Sequence, residues 1–356
     1  MKFNKKDKLS LLMIIILSIL SVIFTSYNDS FYKKEIMKIT NMEKKETYTS
    51  RNSLGFLEKY SIKKIEGIIT NGKNKGTTKV VEYEESYSSV VTDKLKIGDK
   101  VFVESNYING LKRDTYIVFL VSVLITLLFL LGKYRGLVTA FNVGINTLIF
   151  YLSLELYFKG GNLLLICMIE TIFFTSISLL IASGKNKKTL SAIISTLVST
   201  GLLLLITIIV IKMTNYSGTN FNEMSFLTVP FEDVFIAELL IGSLGAIMDV
   251  AITCSSSIAE LIEKDKKITK QALKKSGKEI GKDIMGTMIN VLFFTYLCSG
   301  LPIFILALRN GYGLFQYIST NFSLELTRFL VGSIGIVMTI PIALYISIRI
   351  LKGGKE

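Results

Sequence analysis

The residue that most needs a chemical reason is Asp249. It lies inside an apolar run, in the phrase GSLGAIMDVAI (242–252). A carboxylate near the middle of a membrane helix costs on the order of 2.5–3.5 kcal/mol or more, so its presence there points to function. The phrase recurs as GSIGIVMTIPI (332–342), where Thr339 replaces the acid. Around Asp249, the residues Glu238, Gly242, Gly245, Thr253, Ser256 and Glu260 recur at steps of three and four, which places them on one helix face. A face of small residues can pack closely on another helix. With an acid among them it can also line a hydrated path in which Asp249 binds a cation or carries a proton, and the acid favours that path.

Other polar groups inside apolar runs can support such a path. Asp283, Gly286, Thr287 and Asn290 share a face at helical spacing; Asp283 can also cap a helix start, and Asn290 can hydrogen-bond between helices. Glu170 is a second intramembrane acid, either on the path or partnering a buried donor, whereas Glu155 lies nearer a helix end and can reach water. Glu238 precedes Gly242 by four residues, as Arg328 precedes Gly332, so the two charges can pair if the repeated helices are neighbours.

Eight apolar runs must position these groups: 9–26, 116–131, 137–158, 162–182, 189–211, 234–261, 284–308 and 326–350. Most approach the ~20 residues that a helix needs to cross the hydrocarbon of a bilayer. KGGN (159–162) fits a tight hairpin between the third and fourth. With the N-terminus cytoplasmic and all eight runs spanning, the short cytoplasmic pieces hold 20 Lys and Arg, and the short loops on the far side hold 4. That asymmetry sets both termini in the cytoplasm of a cell-membrane protein. The basic, then apolar, N-terminus lacks a small-residue cleavage site and reads as an uncleaved anchor, residues 1–26. Loop 263–282 carries eight Lys; Thr269 can cap a short helix there, ended by Gly277.

Residues 27–115 read as an extracytoplasmic segment. Its Lys/Glu-rich stretch 28–60 resembles a helical or partly ordered tether, and alternation at 65–69, 79–83, 89–91 and 101–103 marks strands. Asn71-Gly72, Gly98-Asp99 and Asn109-Gly110 read as turns. The expectation is an α-helical polytopic membrane protein with a small β-rich module of the OB kind, a seven-helix membrane domain at 116–350 and a tail at 351–356.

Composition excludes several chemistries. Half the residues are hydrophobic and His is absent, which removes His-based triads and zinc sites. Cys167, Cys254 and Cys298 each sit in an apolar run and read as small core residues. The net charge of +13 reflects topology and anionic lipid rather than nucleic acid. No nucleotide-binding loop is present and no cofactor is expected, while the question of a metal stays open. Paired membrane aspartates are the one hint of an enzyme, but Asp249 and Asp283 lie at different depths, so catalysis is not expected.

LKIGDKVFV (95–103), KYRGL (133–137), GSLGAIMDVA (242–251), GKDIMGTMIN (281–290) with SGLP (299–302), and GSIGIVM (332–338) with Pro341 follow one another along the chain. With the anchor and the β module, this order of parts resembles the YibE/F-like family of bacterial membrane proteins. The resemblance covers most of 61–350 and implies a polytopic helical domain with an external β module; it brings no substrate. Two functions therefore stay open. One is a permease for a small solute or ion, with Asp249, Glu238, Thr253, Asp283, Asn290 and Glu170 along its pathway. The other is a non-catalytic assembly or sensing protein acting through the β module. A second copy of the chain or another membrane subunit fits either as partner.

Overall fold

The computed structural model describes residues 4–51, 57–89, 92–214, 219–221, 230–309, 311–320 and 322–353. The chain forms two compact units, Met1–Leu137 and Val138–Glu356.

The first unit begins with α1 (Lys5–Tyr27), started by a capping box in which Asn4 accepts from the Lys5 amide and Asp7 accepts from the Asn4 amide. Five strands follow: β1 (Glu35–Arg51), β2 (Leu57–Ile69), β3 (Thr78–Ser86), β4 (Lys100–Glu104) and β5 (Tyr107–Leu111). They form one antiparallel sheet in the order β3-β2-β1-β4-β5. Alternate residues turn inward, so Met37, Ile39, Ile65, Val81, Val101 and Val103 make a small core. The unit closes with α2 (Asp114–Gly132).

Several sequence expectations fail in this unit. The tether is not helical: residues 35–51 are β1, paired with β2 out to Arg51 opposite Leu57. Beyond residue 41 both faces of that hairpin are largely solvated, so no alternation marks it, and cross-strand hydrogen bonds supply the order. Asn109-Gly110 is not a turn. It lies in β5, beside a bulge between Phe102 and Val103, and the chain reverses instead at Ser105, at φ 52°. Ser89 is outside any strand, and residues 90 and 91 lie outside the described residues. Asn71 does sit at a turn, but its buried side chain does more. It donates to the carbonyls of Asp29, Tyr32 and Lys34 and accepts from the Ile36 amide at 2.7 Å, clamping the segment after α1 onto the sheet. Lys112, almost fully buried, bridges Asp29 and Asp114 where α1 ends and α2 begins.

α3 (Tyr134–Phe158) follows α2 and carries the chain into the second unit. There follow α4 (Leu163–Ser183), α5 (Lys187–Thr214), α6 (Phe231–Lys264), α7 (Lys270–Arg309), the short α8 (Leu314–Thr320) and α9 (Ser323–Lys352). Among the described residues, α1–α7 and α9 are the eight helices long and apolar enough to cross a membrane. The KGGN hairpin is present, with Asn162 capping α4 through the Leu165 amide. The repeated helices α6 and α9 are parallel neighbours: Glu238 meets Arg328 near their starts and Ser255 meets Ser347 at 2.9 Å farther on.

The lysine-rich loop expected at 263–282 is mostly helix. Thr269 does cap a helix, but that helix is α7 itself, running on to Arg309. Gly277 does not end it. Gly277 and Gly281 are buried against Leu344 and Ile340 of α9, where a Cβ would lie 2.3 and 2.4 Å from those side chains. Asp283 is therefore thirteen residues inside α7 and caps nothing.

Candidate functional site

The second unit has an open cavity of about 680 Å³ at the end of the bundle where α4, α6 and α9 begin. Its walls come from five helices, each offering residues one turn apart. α3 contributes Phe150, Ser153, Leu154 and Tyr157, spaced i, i+3, i+4 and i+7. α4 contributes Leu163, Ile166, Cys167 and Glu170, and α6 contributes Glu238, Ile241 and Gly242 among others. Thr295, Tyr296 and Ser299 come from α7, and Glu325 and Arg328 from α9. Gly242 makes room for the Tyr296 hydroxyl, which would lie 2.5 Å from a Cβ at that position.

The charges are unevenly paired. Arg328 binds Glu325, one turn back on α9, at 2.6 Å through one guanidinium nitrogen. Its other arm binds Glu238 across the helix boundary, the pair that the repeat register anticipates. Glu170 is only 2% exposed, and its Oε1 has no hydrogen-bond partner. The lining thus holds three carboxylates and one guanidinium. Ser153 bonds to the Glu170 carboxylate, and a carboxylate in a cavity wall with its other capacity unfilled can accept from a donor or attract a cation.

The expected site residues separate. Glu170 and Glu238 come together in this cavity. Asp249 and Thr253 lie farther along the same face of α6, which is exposed from Glu238 through Gly242 and Gly245 to Thr253. The Thr253 hydroxyl donates to the Asp249 carbonyl, and a Cβ on Gly245 would meet nothing within 4 Å. Apart from Gly242, which receives Tyr296, the small-residue stripe is therefore an open face and not a packing seam. Asp283 and Asn290 are exposed on α7 and do not line the cavity. Asn290 is five residues from Thr295, about 140° around the helix, so the two point different ways. Cys167 and Cys254 are buried as expected, but Cys298 is exposed on α7.

Two features escape the sequence reading. Glu325 falls one residue before the apolar run at 326–350; its signal is the i, i+3 spacing to Arg328. The other is a column of buried hydroxyls on α5, comprising Thr189, Ser191, Ser195, Thr196, Ser199, Thr200 and Thr207. Four-residue spacing within a Leu/Ile-rich run is its signature. Ser195 and Thr196 bond back to the preceding turn, and Ser191 reaches Ser347 of α9 at 3.3 Å.

Residues 120–353 match the family model described as YibE/F-like protein, and residues 30–117 match the YibE/F family N-terminal domain. No curated protein and no solved structure matches the chain.

Proposed function

The chain belongs to the YibE/F-like family, and we propose that its helical unit is a permease for a small solute, with the acid-lined cavity as the binding chamber. The observation that carries this reading is the cavity itself: its volume falls in the range of small-molecule sites, and a buried carboxylate with a free oxygen borders it. A protein that only anchored its external module would have no use for such an acid, whose burial is costly. In this reading all eight long helices span the cell membrane, with both termini cytoplasmic, supported by the twenty-to-four asymmetry of Lys and Arg. The five-stranded sheet then lies outside, and the approach of β3 to β5 agrees with a barrel of the OB kind. The open face of α6 extends the chamber toward the other end of the helix, with Asp249 as the acid along that route.

A different observation favours the sensing reading. The β1–β2 hairpin projects beyond the small core, and Tyr48 and Tyr60 stack on it with centroids 5.4 Å apart. An exposed cluster of Tyr83, Tyr87 and Tyr107 would add to this reading, but Tyr83 turns toward the core and bonds to Asp93. We assign no catalytic step.

The test is a thermal-stability screen of the purified chain against ions and small solutes, on wild type and Glu170→Gln. A solute at a hundred times its Kd stabilises the native state by about 2.7 kcal/mol. The expected result is a stabilising solute whose effect is lost in Glu170→Gln and which enters proteoliposomes containing wild type. Stabilisation equal in both proteins, or no uptake of any stabilising solute, would overturn the permease reading.

A further inference from the structure

Resting on the reading of this cavity as a solute chamber, we propose that its occupant is a monovalent organic ammonium with an apolar body, the ammonium held by Glu170.

Charge comes first. Arg328 is the cation among the lining residues, and both of its arms are engaged, by Glu238 and by Glu325. Glu170 lies on a different helix, 2% exposed, with Oε1 unpartnered. With every group ionised, three acids face one guanidinium, so the chamber has a deficit of positive charge. An anionic solute would add to that imbalance, and a neutral one would leave it in place.

Shape and lining then choose among cations. A bare metal ion needs several oxygen or nitrogen ligands, and no group of three or more His, Cys, Asp or Glu able to hold one occurs among the described residues. The chamber is also far larger than an ion. Besides Glu170, α3 and α4 give the cavity a wall that is mostly carbon, including Phe150, Leu154, Tyr157 and Ile166. Aromatic faces attract organic cations, and apolar walls take up the body attached to the charge. An ammonium supplies three donors, for the Glu170 carboxylate and for the oxygen of Ser153, whose hydroxyl bonds to Glu170 and which also lines the cavity.

The chain contains no Trp, so Phe150→Trp places a single fluorescent reporter in the wall. The probes are 2-phenylethylammonium, 2-phenylethanol and phenylacetate, which share a ring and differ in charge. The ammonium is expected to change the Trp emission saturably, the alcohol to bind about tenfold or more weakly, and phenylacetate to give no saturable change. Glu170→Gln in the same background should raise the Kd of the ammonium about tenfold or more, and Glu170→Asp should recover part of it. Glu155→Gln, on α3 but outside the cavity, should leave it unchanged. Equal affinity for ammonium and alcohol, tighter binding of phenylacetate, or an unchanged Kd in Glu170→Gln would each overturn the assignment, as would failure of the ammonium to bind. Should Phe150→Trp not fold, the thermal shift of the wild-type chain with the same compounds gives the same ranking. Proteoliposome flux separates the two readings. Charge-selective binding without flux refutes transport and leaves the ligand class standing, whereas flux of all three compounds at equal rates refutes the ligand class alone.

Discussion

Arg328 is the residue whose removal should most weaken the helical unit, and the two arms of its guanidinium should contribute very unequally. The Glu325 arm is buried, with side-chain exposures of 13% for Arg328 and 12% for Glu325. The Glu238 carboxylate is 43% exposed, so water screens that arm. Removing one partner of a buried pair costs about 3–5 kcal/mol because the other charge is stranded. An exposed pair is worth roughly 0–1 kcal/mol. Arg328→Met should therefore destabilise the unit by about 3–4 kcal/mol, nearly all of it through Glu325. For a unit of this size that is a fall in Tm of roughly 10 °C. The decisive comparison is a pair of double-mutant cycles. Glu325→Gln combined with Arg328→Met removes both buried charges together and should restore most of the loss, giving a coupling of about 2–3 kcal/mol. Glu238→Gln combined with Arg328→Met should show coupling below about 1 kcal/mol. The assay is thermal unfolding in detergent, followed by circular dichroism at one fixed scan rate, because unfolding of such a protein is commonly irreversible. A harmless Arg328→Met, or a stronger coupling to Glu238 than to Glu325, would refute the reasoning that burial decides the strength of each arm.

Three further outcomes follow from local geometry. Asn71→Ala strands three carbonyls and one amide at a buried site, so it should cost about 3 kcal/mol or more and expose the segment after α1 to proteolysis. A Cβ on Gly136 would lie 1.9 Å from the Leu128 carbonyl oxygen, a backbone atom with no rotamer to escape into. Gly136→Ala should lower Tm by the equivalent of about 1–3 kcal/mol, while Gly144→Ala, with nothing within 4 Å, should leave it unchanged or raise it. Tyr83 gives a pH signature: burial pushes its phenol above the usual value, and its hydroxyl accepts from the Asp93 amide and donates to the Asp93 carbonyl. The unfolded chain releases this proton first, at about pH 10, so stability falls as pH rises from there through the folded pKa. Tyr83→Phe should remove that share of the alkaline loss, seen in Tm measured across this range; an identical alkaline slope in both proteins would refute it.

What the sequence reveals about this molecule depends on whether the governing contact is local. The long helices are legible because apolar length alone defines them. Their true ends are less so: α7 begins fourteen residues before its apolar run, since Gly277 and Gly281 let a lysine-rich segment dock on α9. β1 is hidden for the opposite reason. Its pairing with β2 is a matter of backbone hydrogen bonds between solvated faces, which leave no hydrophobic period.

The same distinction explains the site. The link between Glu238 and Arg328 is visible because a repeated phrase sets the register of two parallel helices, and position within that phrase carries three-dimensional information. Asp249 draws attention as an acid in mid-helix, yet the structure leaves it on the open face of α6, while at the matching position of the repeat Thr339 is buried and bonded to the Gly335 carbonyl. Glu170 reads from sequence as one intramembrane acid among several. Its distinction comes only from packing: residues of α3, α6, α7 and α9 line the same cavity, and the cation there, Arg328, is already held by two other carboxylates. In the proposed reading the binding of a cation rests on an acid that no cation of the protein pairs, a property of the assembled helices and not of any one of them.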